Sequence, residues 1–123
     1  MELPATLGKY ELLEFLGGGM SHVYRARDTV IGRTVAVKVL TDAGCQDVEA
    51  KARFLQEARM SGNIEHENII RIHDASIEPD QAYVVMEYFP GGSLERYCSF
   101  QNLLPIHRTI GIVFKCCMAL DHA

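Results

Sequence analysis

The sequence contains no apolar run approaching the roughly 18–20 residues that cross a bilayer, so no membrane-spanning helix is expected within it. Met1 to Tyr10 lacks a basic stretch followed by an apolar one, which argues against a cleaved export signal. Positive charge is not in excess either. Twelve Lys and Arg against sixteen Asp and Glu give a net charge of −4, the wrong sign for a general nucleic-acid surface. Cys45, Cys98, Cys116 and Cys117 form no C-x-x-C pair, and the adjacent Cys116 and Cys117 would leave a helix on different faces. Reduced thiols in a cytoplasmic setting, and no metal site, are the expectation. There is no internal repeat and no low-complexity stretch. What is present, 123 residues with 48% hydrophobic and 23% charged side chains, suits one soluble globular domain with a workable core.

Along the chain, Tyr10 to Leu16 reads as a strand, broken by Gly17-Gly18-Gly19. His22 to Arg27 resumes a strand pattern, Asp28 to Arg33 is a turn containing Gly32, and Thr34 to Leu40 has high β propensity. Asp47 is a candidate N-cap for a helix running to Met60, with Val48, Ala52, Leu55 and Ala58 at helical spacing and Gly62-Asn63 as the stop. Ile69 to Ile72 and Tyr83 to Met86 read as two more strands across the polar turn Glu78-Pro79-Asp80-Gln81. Pro90-Gly91-Gly92-Ser93 is a break, after which Ser93 caps a short helix and Pro105 opens a longer one. The expected fold is therefore α+β: five antiparallel strands with one main helix, then helices.

The last segment, Ile106 to Ala123, carries Ile106, Ile110, Val113, Phe114, Cys117 and Leu120 on a broad apolar face. A helix this apolar is normally covered by neighbours. No Gly or Pro stop follows Gly111, so the expectation is that the element belongs to a larger protein, and that the bare face at 106–120 promotes self-association.

Lys38 lies near the end of the strand Val35-Ala36-Val37-Lys38, and Glu57 follows nineteen positions later on the helix. Separately each is ordinary: a solvated strand lysine, and a helix carboxylate paired with Arg53 for about 0.3–0.5 kcal/mol. The glycine triplet alone is also just a flexible turn. A dinucleotide-binding reading needs a helix directly after the glycines, where a strand pattern stands instead. The loop G-x-x-x-x-G-K-[ST] is absent.

Together these segments resemble the ATP-binding half of a protein kinase, closest in wording to bacterial-type serine/threonine kinases. The segments are Leu16-Gly17-Gly18-Gly19-Met20-Ser21-His22-Val23-Tyr24, Val35-Ala36-Val37-Lys38, Glu57, Ile64-Glu65-His66-Glu67-Asn68-Ile69 and Tyr83 to Leu94. The resemblance spans about Tyr10 to Ala123. It implies a kinase-like N-lobe over 1–86, a hinge over 87–93, and the start of a helical C-lobe over 94–123. It implies ATP as ligand, with Lys38 on the α- and β-phosphates and Glu57 holding Lys38 as the catalytic pair. Leu16, Val23 and Ala36 would cover the adenine, with Met86 behind it. The backbone of Glu87 and Phe89 would meet its edge, and Ser93 the ribose, unless Ser93 is only a helix cap.

The glycine loop is one residue short of the family pattern. Counted from Leu16, Gly17 and Gly19 take the first two glycine positions. Counted back from Val23, Leu16 takes the first, Gly18 the second, and Ser21 replaces the third. His66 and His73 read as packing or hydrogen-bonding residues. The family's catalytic loop and D-F-G motif, which supply the base and the magnesium ligands, do not occur in the 123 residues. Two functions follow as expectations. One is the nucleotide-binding part of a serine/threonine kinase acting on protein substrates, inactive by itself and truncated before the catalytic loop. The other is a non-catalytic nucleotide-binding or interaction module. A membrane anchor of the parent protein, if present, would lie downstream.

Overall fold

The computed structural model describes residues 2–123. In chain order they form β1 (Ala5–Leu7), β2 (Tyr10–Gly18), β3 (Ser21–Asp28), β4 (Thr34–Leu40), α1 (Asp42–Gln46), α2 (Val48–Gly62), β5 (Ile72–Ile77), β6 (Ala82–Glu87), two short 3-10 turns, and α3 (Ile106–His122). The strands make one six-stranded sheet in the order β1-β2-β3-β4-β6-β5. Every neighbouring pair is antiparallel. The α+β class is present, and four of the five expected strands lie where the sequence places them. A sixth, β1, adds to the outer edge of β2, and at three residues it is too short to show a period in sequence.

The pleat divides β4 between two apolar clusters. Val35, Val37 and Val39 face one core with Leu12, Tyr24, Ala26, Tyr83 and Val85, while Leu40 faces a second core with Phe54, Ala82 and Val84. β-Branched residues at alternate positions favour this extended, two-faced strand. The sheet also curls. Tyr10 of β2 donates its hydroxyl to Asp74 Oδ2 of β5 at 3.0 Å, although the two strands are not neighbours. Burial, reinforced by that carboxylate, pushes the Tyr10 phenol well above its ordinary pKa.

α2 begins where Asp47 accepts from the backbone N–H groups of Glu49 and Ala50 at 3.0 and 3.2 Å. It ends where the Asn63 side chain donates to the Arg59 carbonyl. This matches the expected helix to within two residues, and Phe54 and Ala58 seat it on the second core. The short α1 carries no legible apolar period, and Thr41 caps it.

One strand lies elsewhere than the sequence suggested. Ile69 to Ile72 is not a strand; β5 starts at Ile72 and continues through His73-Asp74-Ala75-Ser76 to Ile77. Residues 66–69 are held in a turn by Asn68 N–H on His66 Nδ1 and Ile69 N–H on the His66 carbonyl. Ile69, Ile70 and Ile72 instead line a cavity under α2, which is why they are apolar. As an edge strand β5 pairs only with β6 and needs little alternation.

After β6, Ser93 accepts from Glu95 N–H and caps the first 3-10 turn. Pro105 precedes α3, which meets the rest of the chain through Ala119, an Asn68 to Lys115 hydrogen bond, and the rings of His66 and His122, centred 5.2 Å apart. Ile106, Ile110, Val113, Phe114, Met118 and Leu120 stay exposed. Among the described residues no helix is long and apolar enough to cross a membrane.

The β3–β4 turn is organised by Asp28, which is fully buried. Its Oδ1 accepts from Val30 and Ile31 N–H at 2.9 and 3.2 Å, and Lys9 Nζ lies 3.4 Å from Oδ2. Burial alone would raise its pKa, but the two N–H donors and the Lys9 ammonium outweigh it and hold the carboxyl below the ordinary carboxylate range. A depressed folded-state pKa means that Asp28 stabilises the fold above its unfolded value of about 3.9, and that this is lost as pH falls through the lower folded value. Asp28→Asn should therefore melt lower than the parent at neutral pH. The gap should narrow as pH falls below about 3.9, as measured by thermal melts across the acid limb.

Candidate functional site

Lys38 occupies the second face of β4, paired across the ladder with Val23 of β3 and Val84 of β6. Its ammonium lies 3.2 Å from Glu57 Oε2 on α2 and 5.8 Å from the centre of the Phe54 ring. Phe54 and Glu57 are three apart and share a helix face, so one packs the helix down while the other reaches the lysine. The pair is not buried: the side chains are 30% and 57% exposed. An ion pair this wet adds at most about 1 kcal/mol to folding. Its consequence is positional, because it fixes a cation at the mouth of a cavity of about 460 Å³ that Val23, Met86 and Ile70 help to line.

Above the lysine, β2 and β3 form a hairpin whose connection is Gly19-Met20. Gly17 pairs with Val23 and Gly18 with His22. Gly17 and Gly18 have φ of +133° and +134°, a region that side chains avoid. A Cβ on Gly18 would stand 1.9 Å from the Ser21 carbonyl oxygen, whereas Gly19 has open space. The three glycines thus have separate jobs: Gly17 and Gly18 carry the backbone reversal, and Gly19 leaves the tip bare. Phe15, His22 and Tyr24 steady the base, with Phe15 centred 5.0 Å from His22 and 5.6 Å from Tyr24.

Ala36 pairs with Met86 in the β4–β6 ladder, so the small side chain and the thioether meet at one level of the sheet. Glu87, at the end of β6, is tied back to Arg71: its N–H donates to the Arg71 carbonyl at 3.0 Å, and its carboxylate accepts from Arg71 N–H at 2.8 Å. Arg71 in turn donates to Glu65 Oε1 at 2.7 Å. Nearby, burial lowers the His73 pKa, with the Arg33 and Arg71 cations adding to it against the opposing charge of Glu87. Leu16 and Phe89 are exposed, and Ser93 is engaged as a helix cap.

The structure therefore brings Val23, Lys38, Glu57 and Met86 around one cavity, with Ala36 beside Met86. Leu16 and the glycines belong to the hairpin above, and Glu87, Phe89 and Ser93 to the segment leaving β6. Phe54 was not singled out from sequence, though its position three before Glu57 was a usable signal. Arg71 and Thr41 gave none, since both act through backbone groups of distant residues.

A family model described as "Protein kinase domain" matches residues 10–123. The chain is 36% identical over 117 residues to the serine/threonine-protein kinase PrkC of Bacillus subtilis, covering 94% of this chain and 18% of PrkC. It is 36% identical over 123 residues to the serine/threonine-protein kinase PknB of Mycobacterium leprae, covering 96% of this chain and 20% of PknB. Among solved structures it resembles the PknI kinase domain of Mycobacterium tuberculosis, with a TM-score of 0.79 at 26% identity, over 99% of this chain and 50% of that one. The chain spans about a fifth of these curated relatives and half of that solved domain.

The unequal roles of the glycines are testable. Gly18→Ala forces a Cβ onto backbone and should lower stability by more than about 2 kcal/mol. Gly19→Ala meets nothing and should stay within about 1 kcal/mol of the parent, both read from urea unfolding.

Proposed function

The chain belongs to the protein kinase domain family, and on that premise we propose that it forms the ATP-binding part of a serine/threonine protein kinase that phosphorylates protein hydroxyls. The single observation that carries this reading is the 3.2 Å contact between Lys38 and Glu57 beneath a glycine hairpin. Lys38 grips the α- and β-phosphates, and Glu57 keeps its ammonium from swinging into solvent. Gly17, Gly18 and Gly19 let backbone N–H groups approach the phosphates without an obstructing Cβ. Leu16, Val23 and Ala36 cover the adenine, and Met86 closes its rear. The Glu87 carbonyl and the Phe89 N–H and carbonyl meet the adenine edge. Ser93 contacts the ribose in this reading, in competition with its capping bond.

ATP, when bound, supplies the γ-phosphoryl group for transfer. The chain's own contribution is to bind and orient. The open space at Gly17 and Gly19 and the charged, half-exposed Lys38 fit a phosphate chain. Magnesium is different: among the described residues no three acidic, histidine or cysteine side chains converge on a metal position, so no step here runs through it. The sequence holds neither H-R-D nor D-F-G, so the proton acceptor and metal ligands of the family are not among these residues.

In the same reading, 1–86 is the N-lobe, 87–93 the hinge and 94–123 the first helices of the C-lobe. The protein works in the reducing cytoplasm, which is consistent with exposed free thiols at Cys98, Cys116 and Cys117. The apolar face of α3 drives self-association of the isolated chain, observable by light scattering.

Two measurements test the reading. Calorimetric titration with ATP should show binding that Lys38→Met weakens about tenfold or more, the size of a charge-assisted contact. The 123-residue chain should transfer no γ-phosphate to a generic basic protein, with or without magnesium. Equal ATP affinity in Lys38→Met would remove the lysine from the site, and robust transfer by the chain would refute the division of labour.

A further inference from the structure

We propose that Thr41 is a positioning residue for the glycine hairpin, holding its tip in the one peptide orientation that receives phosphate. This rests on the nucleotide-binding reading above. The backbone N–H of Thr41 donates to the Met20 carbonyl at 3.0 Å, and its hydroxyl donates to the same oxygen at 2.9 Å. The hydroxyl oxygen accepts in turn from Gly44 N–H at 3.0 Å, which orients it. Gly44 itself comes close: a Cβ there would stand 2.7 Å from the Met20 oxygen. One carbonyl at the hairpin tip is therefore held by two donors and backed by α1.

The consequence follows from peptide geometry. The Met20–Ser21 peptide is planar and trans, so fixing its oxygen toward β4 turns the Ser21 N–H to the opposite side. That peptide turns about ψ of Met20 and φ of Ser21, at the exposed end of the hairpin where Met20 belongs to the connection and Ser21 is only the first residue of β3. A flipped Met20 carbonyl would present partial negative charge where phosphate oxygens must lie, whereas phosphate sites are built from N–H groups. Thr41 opposes that flip. The Thr41 N–H alone would hold only one lone pair; the hydroxyl holds the second.

The role separates from simple stabilisation because adenosine lacks the phosphates. The parent chain, Thr41→Val and Thr41→Ser are titrated with ATP and with adenosine, and amide hydrogen exchange is followed over residues 17–23. Thr41→Val should speed exchange at the tip. It should weaken ATP about three- to tenfold, the size of one neutral hydrogen bond, while adenosine binds as in the parent. Thr41→Ser, which keeps the hydroxyl, should restore both. If Thr41→Val fails to fold, Thr41→Ala removes the same hydroxyl with a smaller side chain and should give the same ATP-selective loss. Equal weakening of ATP and adenosine, or unchanged exchange at the tip, overturns the proposal. A parent chain that binds neither ligand refutes the nucleotide reading, and the exchange data then decide by themselves whether Thr41 pins the tip.

Discussion

β4 is flanked by strands on both edges, β3 on one side and β6 on the other, and both of its faces are occupied. A strand in that position has no free backbone groups to give to solvent and no spare face on which to hide a charge. The strict alternation in Val35-Ala36-Val37-Lys38-Val39-Leu40 is the constraint from which the rest follows. Its odd positions fill the closed side of the curled sheet; on the other face Lys38 lines the cavity and Leu40 joins the core under α2. A one-residue slip would send Lys38 into a core lined by Leu12, Val85 and Tyr24, where an unpaired ammonium is untenable. The lysine's place in the site is thus enforced by the packing of the valines on either side of it.

That placement requires a counter-charge of the right height, which α2 provides. Asp47 starts the helix, Phe54 anchors it to the second core, and Glu57 arrives one turn later beside the ammonium. The ion pair is too exposed to matter much to folding, so its geometry depends on the apolar contact beneath it rather than the reverse. Sheet curl performs a similar service at the other end. The Tyr10–Asp74 bond draws β2 toward β5, and the reciprocal Glu87–Arg71 bonds fix the residue at which the chain leaves β6.

The hairpin over the lysine closes through the two-residue connection Gly19-Met20. Two successive glycines at strongly positive φ, Gly17 and Gly18, end β2 just before it, and Thr41 ties the Met20 carbonyl to the start of α1. A short, tied loop carries a small entropic penalty for ordering when ligand arrives. It also makes each of its peptide orientations count.

The sequence by itself determined the class of fold, the two-faced strand with Lys38 and the helix from Asp47, which rest on periods and caps that operate within one element. The pairing of Lys38 with Glu57 came from the resemblance to protein kinases, since neither residue signals the other by spacing alone. The tertiary structure decided what depends on distant chain. It moved the fifth strand from Ile69–Ile72 to Ile72–Ile77, because the isoleucines are apolar for the cavity under α2 and not for a sheet. It added β1, whose three residues pair only because β2 offers an edge. It also separated the glycines, pairing Gly17 with Val23 and Gly18 with His22 at positive φ while Gly19 stands in the connection. Arg71 and Thr41 stayed invisible in the sequence for the same reason: their partners lie sixteen or more positions away, and each contact uses main chain on at least one side, which leaves no residue-type signature.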